Sequence, residues 1–394
     1  MDLMIVGAGP GGSFTALEAV RKEFNVTLID KKSARYGPIV CGELLPSKDL
    51  LANYLPSRIN DLLAYTLDVV LSRDVIINRI KRLNVILGDV SIGSFPFDSL
   101  VIDKGAMIRH VIDAAEQGGA KVLFSTTVTG CVVDDPYVKC SVKGRDGESF
   151  MVADKAVGAD AYPSTLSELA GASEMGPRDL IVATSQRAAG RFDDEEAMII
   201  MDPRLAPGGY AWIFPRGDGT HNTGIGVRGD AAWGGGASVL DLHRRFIDKF
   251  GLRPLQRAVL SKTIPVGGLV RARGGAYLVG DAVGSVIPTN GAGINPAMIT
   301  GKLVVDSMIQ GIDYYSLLYS VFGSFMKRMV DYRKLADPIL YDYEAVKRLL
   351  KFPKPLLRTA LRDAVMGSSK ASTSLMLGIL SPLINSLVAS QRKH

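Results

Sequence analysis

Gly7, Gly9 and Gly12 stand at GxGxxG spacing in VGAGPGG, between an apolar run and a segment of helical pattern. At that spacing glycines let a chain turn tightly, approach a pyrophosphate and pack a helix on a strand. The helix start then offers free N–H groups and its dipole to the anion. Asp30 ends the next apolar run, at the distance where a carboxylate accepts bonds from a ribose hydroxyl. An acid there disfavours a 2′-phosphate, so FAD or NAD is expected before NADP. A second turn, YLVGDAVGSVIPTNGAGI, brings Gly280 and Asp281 after an apolar run and Gly291 and Gly293 to a helix start. Its Asp suits a ribityl hydroxyl or a phosphate. Its helix start suits the pyrimidine end of a flavin, where reduction puts negative charge. An NAD enzyme has no need of this distal element, so the two turns together point to FAD.

The nonapeptide PGGYAWIFP sets Tyr210, Trp212 and Phe214 at every second position between Pro207 and Pro215. In a strand the three rings share one face. That face is either ordinary core or the wall of an apolar binding cavity. Cys41 lies in the Gly/Pro-bounded stretch YGPIVCGELLP, where a lone cysteine is ordinarily a small buried hydrophobe. The four histidines are scattered, and neither a CxxC nor a Cys/His cluster occurs, so no metal is expected.

These residues need elements to hold them. Residues 2–30 read strand, glycine turn, helix, strand, a βαβ unit. Residues 65–102 read as antiparallel strands through LDVVL, DVIINRI and LNVILG; residues 131–159 read as a small meander, with Cys131 and Cys140 in the core. Residues 180–230 are strand-rich, and the chain after Asp313 reads as helical. A chain of 394 residues suggests two or three domains, and 47% hydrophobic with 22% charged residues excludes extended disorder. Three cysteines without close pairing argue against a disulfide framework and for a reducing interior. The start of the chain reads directly as a strand, with no secretory signal expected, and no apolar run reaches the ~18 residues of a membrane span. The formal charge of +6 is uneven: residues 313–394 hold 13 Lys and Arg against 6 Asp and Glu, a balance of +7, which leaves −1 for the rest. That segment is a solvated helical surface or a contact for an anionic membrane, and nucleic acid lacks any accompanying motif.

In order, GxGxxG with its acid, CGE at Cys41–Glu43, PxxYxWxFP and GDAxGxxxPxxGxGI resemble the FAD-dependent oxidoreductases of the aromatic-hydroxylase type, and among them the geranylgeranyl reductase family. The landmarks cover residues 1–312. The resemblance implies an α/β fold: a Rossmann-type FAD-binding domain with a parallel sheet (1–65, 101–170 and 272–312), an inserted antiparallel-sheet substrate domain (66–100 and 171–271) and a C-terminal helical segment (313–394). It implies a flavin site of Gly7, Gly9, Pro10, Gly11, Gly12, Ser13, Asp30, Lys31, Cys41, Gly42, Leu44, Lys104, Val128, Asp160, Gly280, Asp281, Gly291, Ala292, Gly293 and Ile294. Pro207, Tyr210, Trp212, Phe214 and Pro215 would line the substrate cavity, with Cys41, Tyr210 and Trp212 at the reaction. The chain departs from the family pattern at Lys104, which keeps the charge of an Arg but not its fork, at Ala161, where a glycine is usual, and at Ala292, where an acid is usual.

The implied activity is saturation of geranylgeranyl C=C bonds on an archaeal-type glycerolipid or a prenyl diphosphate. Hydride would come from reduced flavin N5, and the rings of Tyr210 and Trp212 would stabilise positive character on the alkene. Ferredoxin or NAD(P)H would supply the electrons. An FAD monooxygenase or halogenase acting on an aromatic substrate is the alternative, and a carrier that binds without turnover is a third reading. The expected location is cytoplasmic, with peripheral contact at the inner membrane face through SLMLGILSPLINSLVAS and its flanking Lys370, Arg392 and Lys393.

Overall fold

The computed structural model describes residues 1–32, 40–134, 137–145, 147–169, 171–272, 276–366 and 368. A five-stranded sheet has the order Tyr277–Leu278, Lys155–Gly158, Asp2–Val6, Asn25–Ile29, Lys121–Leu123, with every pair parallel. Its strands are largely apolar because both faces are covered, one by the helix Pro10–Val20 and its neighbours and the other by strands Tyr137–Gly144 and Gly147–Ala153, and Leu3, Met4 and Ile5 are almost wholly buried. The helix Pro10–Val20 packs on this sheet and the helix Ile294–Gln310 packs against it, each beginning where a glycine-rich turn ends.

A second sheet of nine strands has the order Arg253–Pro254, Leu180–Ala189, Thr220–Arg228, Tyr210–Pro215, Glu196–Met201, Ile76–Leu87, Val90–Ile102, Leu44–Pro46, and Leu260–Pro265 also pairs with Leu180–Ala189. It is antiparallel except between Glu196–Met201 and Ile76–Leu87, which run parallel. The aromatic strand Tyr210–Pro215 is therefore an interior strand, hydrogen-bonded on both sides. A three-stranded antiparallel sheet, Thr127–Asp134, Tyr137–Gly144 and Gly147–Ala153, completes the set among the described residues.

The structure differs from the sequence expectation in three places. DVIINRI and LNVILG are not two antiparallel strands but halves of the one strand Ile76–Leu87, because no turn residue separates them. LDVVL is not a strand: it ends the helix Ser57–Val70. Ile59, Leu63, Thr66, Leu67 and Val70 are the buried positions, a helical stripe that begins upstream of the stretch taken as a strand. Cys131 and Cys140, expected as separate core thiols, face each other across adjacent antiparallel strands and form a disulfide, with Cα atoms 4.0 Å apart. Hairpin pairing supplied a proximity that their nine-residue separation does not announce.

The C-terminal helices Ser324–Tyr341, Tyr343–Leu349 and Lys354–Val365 fold back onto the body. Phe322, Phe325, Met326 and Met329 are buried in the main core, and Val346, Leu349 and Leu357 pack with Leu87 and Ile92. The stretch SLMLGILSPLINSLVAS and its flanking charges lie outside the described residues.

Candidate active site

The first helix has no side-chain cap. Gly9 is its N-cap, and a Cβ placed there would meet nothing within 4 Å. Gly7 turns with φ 102°, where a Cβ would lie 2.4 Å from the Ala159 carbonyl oxygen. The second long helix likewise starts uncapped at Gly293. Both starts open on one channel. Its outer part, about 540 Å³, is lined by Gly7, Gly9, Pro10, Asp30, Lys31, Lys104, Val128, Asp160 and Lys262. Its inner part, about 150 Å³, is lined by Gly9, Pro10, Gly11, Cys41, Gly42, Lys104, Lys262, Gly280, Asp281, Gly291, Gly293 and Ile294.

Two uncapped helix starts, with Lys104 and Lys262 beside them and Asp30 and Asp281 flanking, suit a long ligand with an anionic middle. Asp30 accepts from the backbone N–H groups of Ala8 (2.7 Å) and Lys32 (2.8 Å), which pins the turn and leaves carboxylate lone pairs toward the channel. Lys104 is buried at the start of the helix Lys104–Gln117, and burial lowers its pKa. Lys262 pairs with Asp281 at 2.5 Å; burial opposes its charge, but Asp281 outweighs burial and raises its pKa. Sequence reasoning did not single out Lys262, which sits in an ordinary strand. The donors and the space fit a dinucleotide such as FAD.

Some expected residues lie elsewhere or, like Asp160 on the outer channel wall, have their polar atoms engaged by the protein. Ser13 is buried and bonds the Gly9 carbonyl at 2.8 Å, and Gly12 serves packing, since a Cβ there would lie 1.8 Å from the Gly7 carbonyl oxygen. Both Asp160 oxygens are engaged, by the Ser164 hydroxyl (2.6 Å) and the Thr165 N–H (2.7 Å), and burial raises its pKa. Leu44 and Ala292 line an apolar chamber instead of the channel.

That chamber, about 180 Å³, joins the inner channel at Cys41, Gly42, Gly291, Gly293 and Ile294. A second apolar chamber, about 200 Å³, joins it at Gly42, Ile264 and Gly291. Tyr210 and Phe214 line both chambers and Trp212 the second. Pro207 and Pro215 bracket the strand without lining either. The rings form a ladder, with centroids 6.2 Å (Tyr210 to Trp212) and 6.3 Å (Trp212 to Phe214) apart. Gly224, opposite Trp212, makes room for it: a Cβ there would lie 2.3 Å from the indole. Val365 lines both chambers, so the C-terminal helices are walls of the site. Arg228, paired with Asp337, and Arg333, paired with Asp179, each at 2.7 Å, close the second chamber's polar side.

The polar edges of the aromatic ladder are all occupied. The Tyr210 hydroxyl donates to the Asn290 carbonyl at 2.5 Å, and burial pushes its pKa up to about 12. The Trp212 N–H donates to Asn222 Oδ1 at 2.9 Å, and the Asn222 amide donates to the Cys41 carbonyl at 2.8 Å. Glu43 pairs with buried Arg216, and its N–H donates to Cys41 Sγ at 3.2 Å. Among the side chains shared by the channel and the first chamber, Cys41 alone is titratable.

Residues 180–265 match the family model of the geranylgeranyl reductase catalytic domain. The chain is 29% identical over 316 residues to the digeranylgeranylglycerophospholipid reductase of Methanosarcina acetivorans, covering 79% of this chain and 75% of that one. It is 27% identical over 347 residues to digeranylgeranylglycerophospholipid reductase 1 of Methanopyrus kandleri, covering 84% and 85%. Among solved structures, a geranylgeranyl bacteriochlorophyll reductase-like protein from Thermoplasma acidophilum superposes with TM-score 0.73 at 21% identity, over 92% of this chain and 98% of that one. A flavin-dependent brominase superposes with TM-score 0.64 at 18% identity, over the whole of both chains. At these identities the solved structures speak to the fold alone.

Proposed function

We propose, from the premise that the chain is similar to the geranylgeranyl reductases in its 180–265 segment and across its fold, that it is an FAD-dependent reductase saturating C=C bonds of geranylgeranyl chains on a membrane glycerolipid. One observation carries the reading furthest. The channel that fits FAD ends where two apolar chambers of similar size begin, with the aromatic strand at their junction. Two apolar lobes suit a lipid with two branched chains, and rings wall them at low entropic cost.

Bound FAD, once reduced, supplies the hydride. The chain supplies everything around it. Gly9, Pro10 and Gly11 at the first helix start, with Lys104, would hold the pyrophosphate; Asp30 would hold the ribose and Asp281 the ribityl chain. The start of the helix Ile294–Gln310, on the inner channel wall, would favour negative charge at the pyrimidine end of a bound flavin. Tyr210, Trp212 and Phe214 exclude water and place the alkene. Because the phenol and indole polar edges are bonded elsewhere, it is their ring faces that support positive character on the more substituted carbon. Cys41, shared by channel and chamber, would give its S–H proton to the other carbon.

Electrons reach the cofactor from a redox donor, ferredoxin or a nicotinamide. Peripheral contact with an anionic membrane face is proposed from the +7 balance of residues 313–394; no helix among the described residues is long and apolar enough to cross a membrane.

The test is anaerobic. The FAD-loaded protein is reduced with dithionite, given a digeranylgeranyl glycerolipid, and the product weighed. Mass gains in steps of one hydrogen molecule support the reading. Unchanged mass with a reducible flavin overturns it, and NADPH-driven oxygenation of an aromatic compound would replace it.

A further inference from the structure

We infer that Asn222 is the positioning residue that sets Cys41 at the junction of channel and chamber. The inference rests on the reductase reading only for what Cys41 does there. The Cys41 backbone lies in a stretch of no regular structure, residues 40–43, whereas Asn222 belongs to an interior strand in register with Phe214. A stiff strand can therefore fix a loop that has no ladder of its own.

The chemistry of the bridge is specific. An indole N–H can only donate, and a peptide carbonyl can only accept. Asn222 lies between one of each, Trp212 Nε1 at 2.9 Å and the Cys41 carbonyl at 2.8 Å. Only one orientation of its amide satisfies both. Aspartate can serve the indole but not the carbonyl, and an aliphatic residue serves neither. The same loop meets the strand twice more. A Cβ on Gly42 would lie 2.9 Å from the Phe214 ring, and Glu43 pairs with Arg216 just beyond the strand. Three successive loop residues are thus keyed to the aromatic strand and its neighbour. Trp212 acts in this design through Asn222 as well as through its face.

The measurement is alkylation of Cys41 by iodoacetamide in the full-length FAD-loaded protein, followed by intact mass without reductant. Cys131 and Cys140 are bonded to each other, so Cys41 is the reacting thiol. Asn222→Asp keeps the bond from the indole and turns an oxygen on the Cys41 carbonyl. It is expected to speed alkylation about fivefold or more, the equivalent of one lost hydrogen bond, while still melting cooperatively at a lowered midpoint. Turnover of a digeranylgeranyl lipid should fall through kcat, with KM held. An alkylation rate within about twofold of the parent, in a variant that still melts cooperatively and binds FAD, overturns the inference. Should Asn222→Asp not fold, the smaller, neutral Asn222→Ser is read by the same criterion. Alkylation needs no substrate. A parent protein that never reduces a geranylgeranyl chain would therefore sink the reductase reading and leave this result standing.

Discussion

Ala161 adopts φ 72°, a left-handed conformation that strains any residue with a Cβ, at the position where the family pattern carries glycine. Ala161→Gly should raise stability by about 0.5–1 kcal/mol, the relief of strain less the extra freedom of the unfolded chain, read as a higher melting midpoint. Tyr210 tests the division between ring and hydroxyl. Its hydroxyl holds the Asn290 carbonyl, beside the Gly291 turn. Tyr210→Phe should cost about 1 kcal/mol of stability, because a buried acceptor loses its donor, while turnover survives. Tyr210→Leu should cost the turnover as well, since it removes the face that supports the alkene; comparing the two variants in the mass assay checks the assignment.

At the scale of elements, the C-terminal helices belong to the site. Val365 ends the helix Lys354–Val365 and borders both chambers. Val365→Trp should lower turnover of a two-chain lipid about tenfold or more by overfilling the junction, and leave FAD binding intact by flavin fluorescence. The helix Val239–Lys249 carries a different test. His243 is buried there, its Nδ1 3.0 Å from the Thr184 hydroxyl, and burial lowers its pKa from 6.5 to about 4. A depressed histidine binds its proton more readily in the unfolded chain. Its contribution is whole above pH 6.5 and is lost progressively as pH falls toward 4, to a limit of about 3 kcal/mol. Urea midpoints at pH 7.5 and pH 5 should differ in the parent and differ less in His243→Gln.

At the scale of the molecule, the channel is walled by residues of both large sheets: Gly9 and Asp30 beside the parallel sheet, Lys262 on a strand of the nine-stranded sheet. A ligand there ties the two together, so FAD should raise the melting midpoint in a concentration-dependent way. Lys262→Met removes the partner of Asp281 and a cation of the channel, and should weaken FAD about tenfold in a fluorescence titration. The membrane proposal is also a matter of the whole surface. Flotation with anionic liposomes should exceed flotation with neutral ones and fall with salt; equal, negligible binding to both would remove it.

The local chemistry of the two nucleotide turns was legible in the residues themselves. Backbone conformation and helix starts are set within a few residues, so Gly7, Gly9, Asp30, Asp281 and Gly293 could be found by spacing alone. The period-two rings of the aromatic strand were legible for the same reason. What the tertiary structure decided is everything that depends on partners distant in sequence. Asn222 looks like any strand asparagine until Trp212 and Cys41 close on it from either side. Lys262 gains meaning only beside Asp281, and Cys131 only across a hairpin from Cys140. The C-terminal helices gave the sequence a basic, apolar pattern that solvent, membrane or core could each explain. Burying Phe322, Phe325 and Val365 against two chambers is a choice made by packing, because periodicity says which face of a helix is apolar and not what that face will meet.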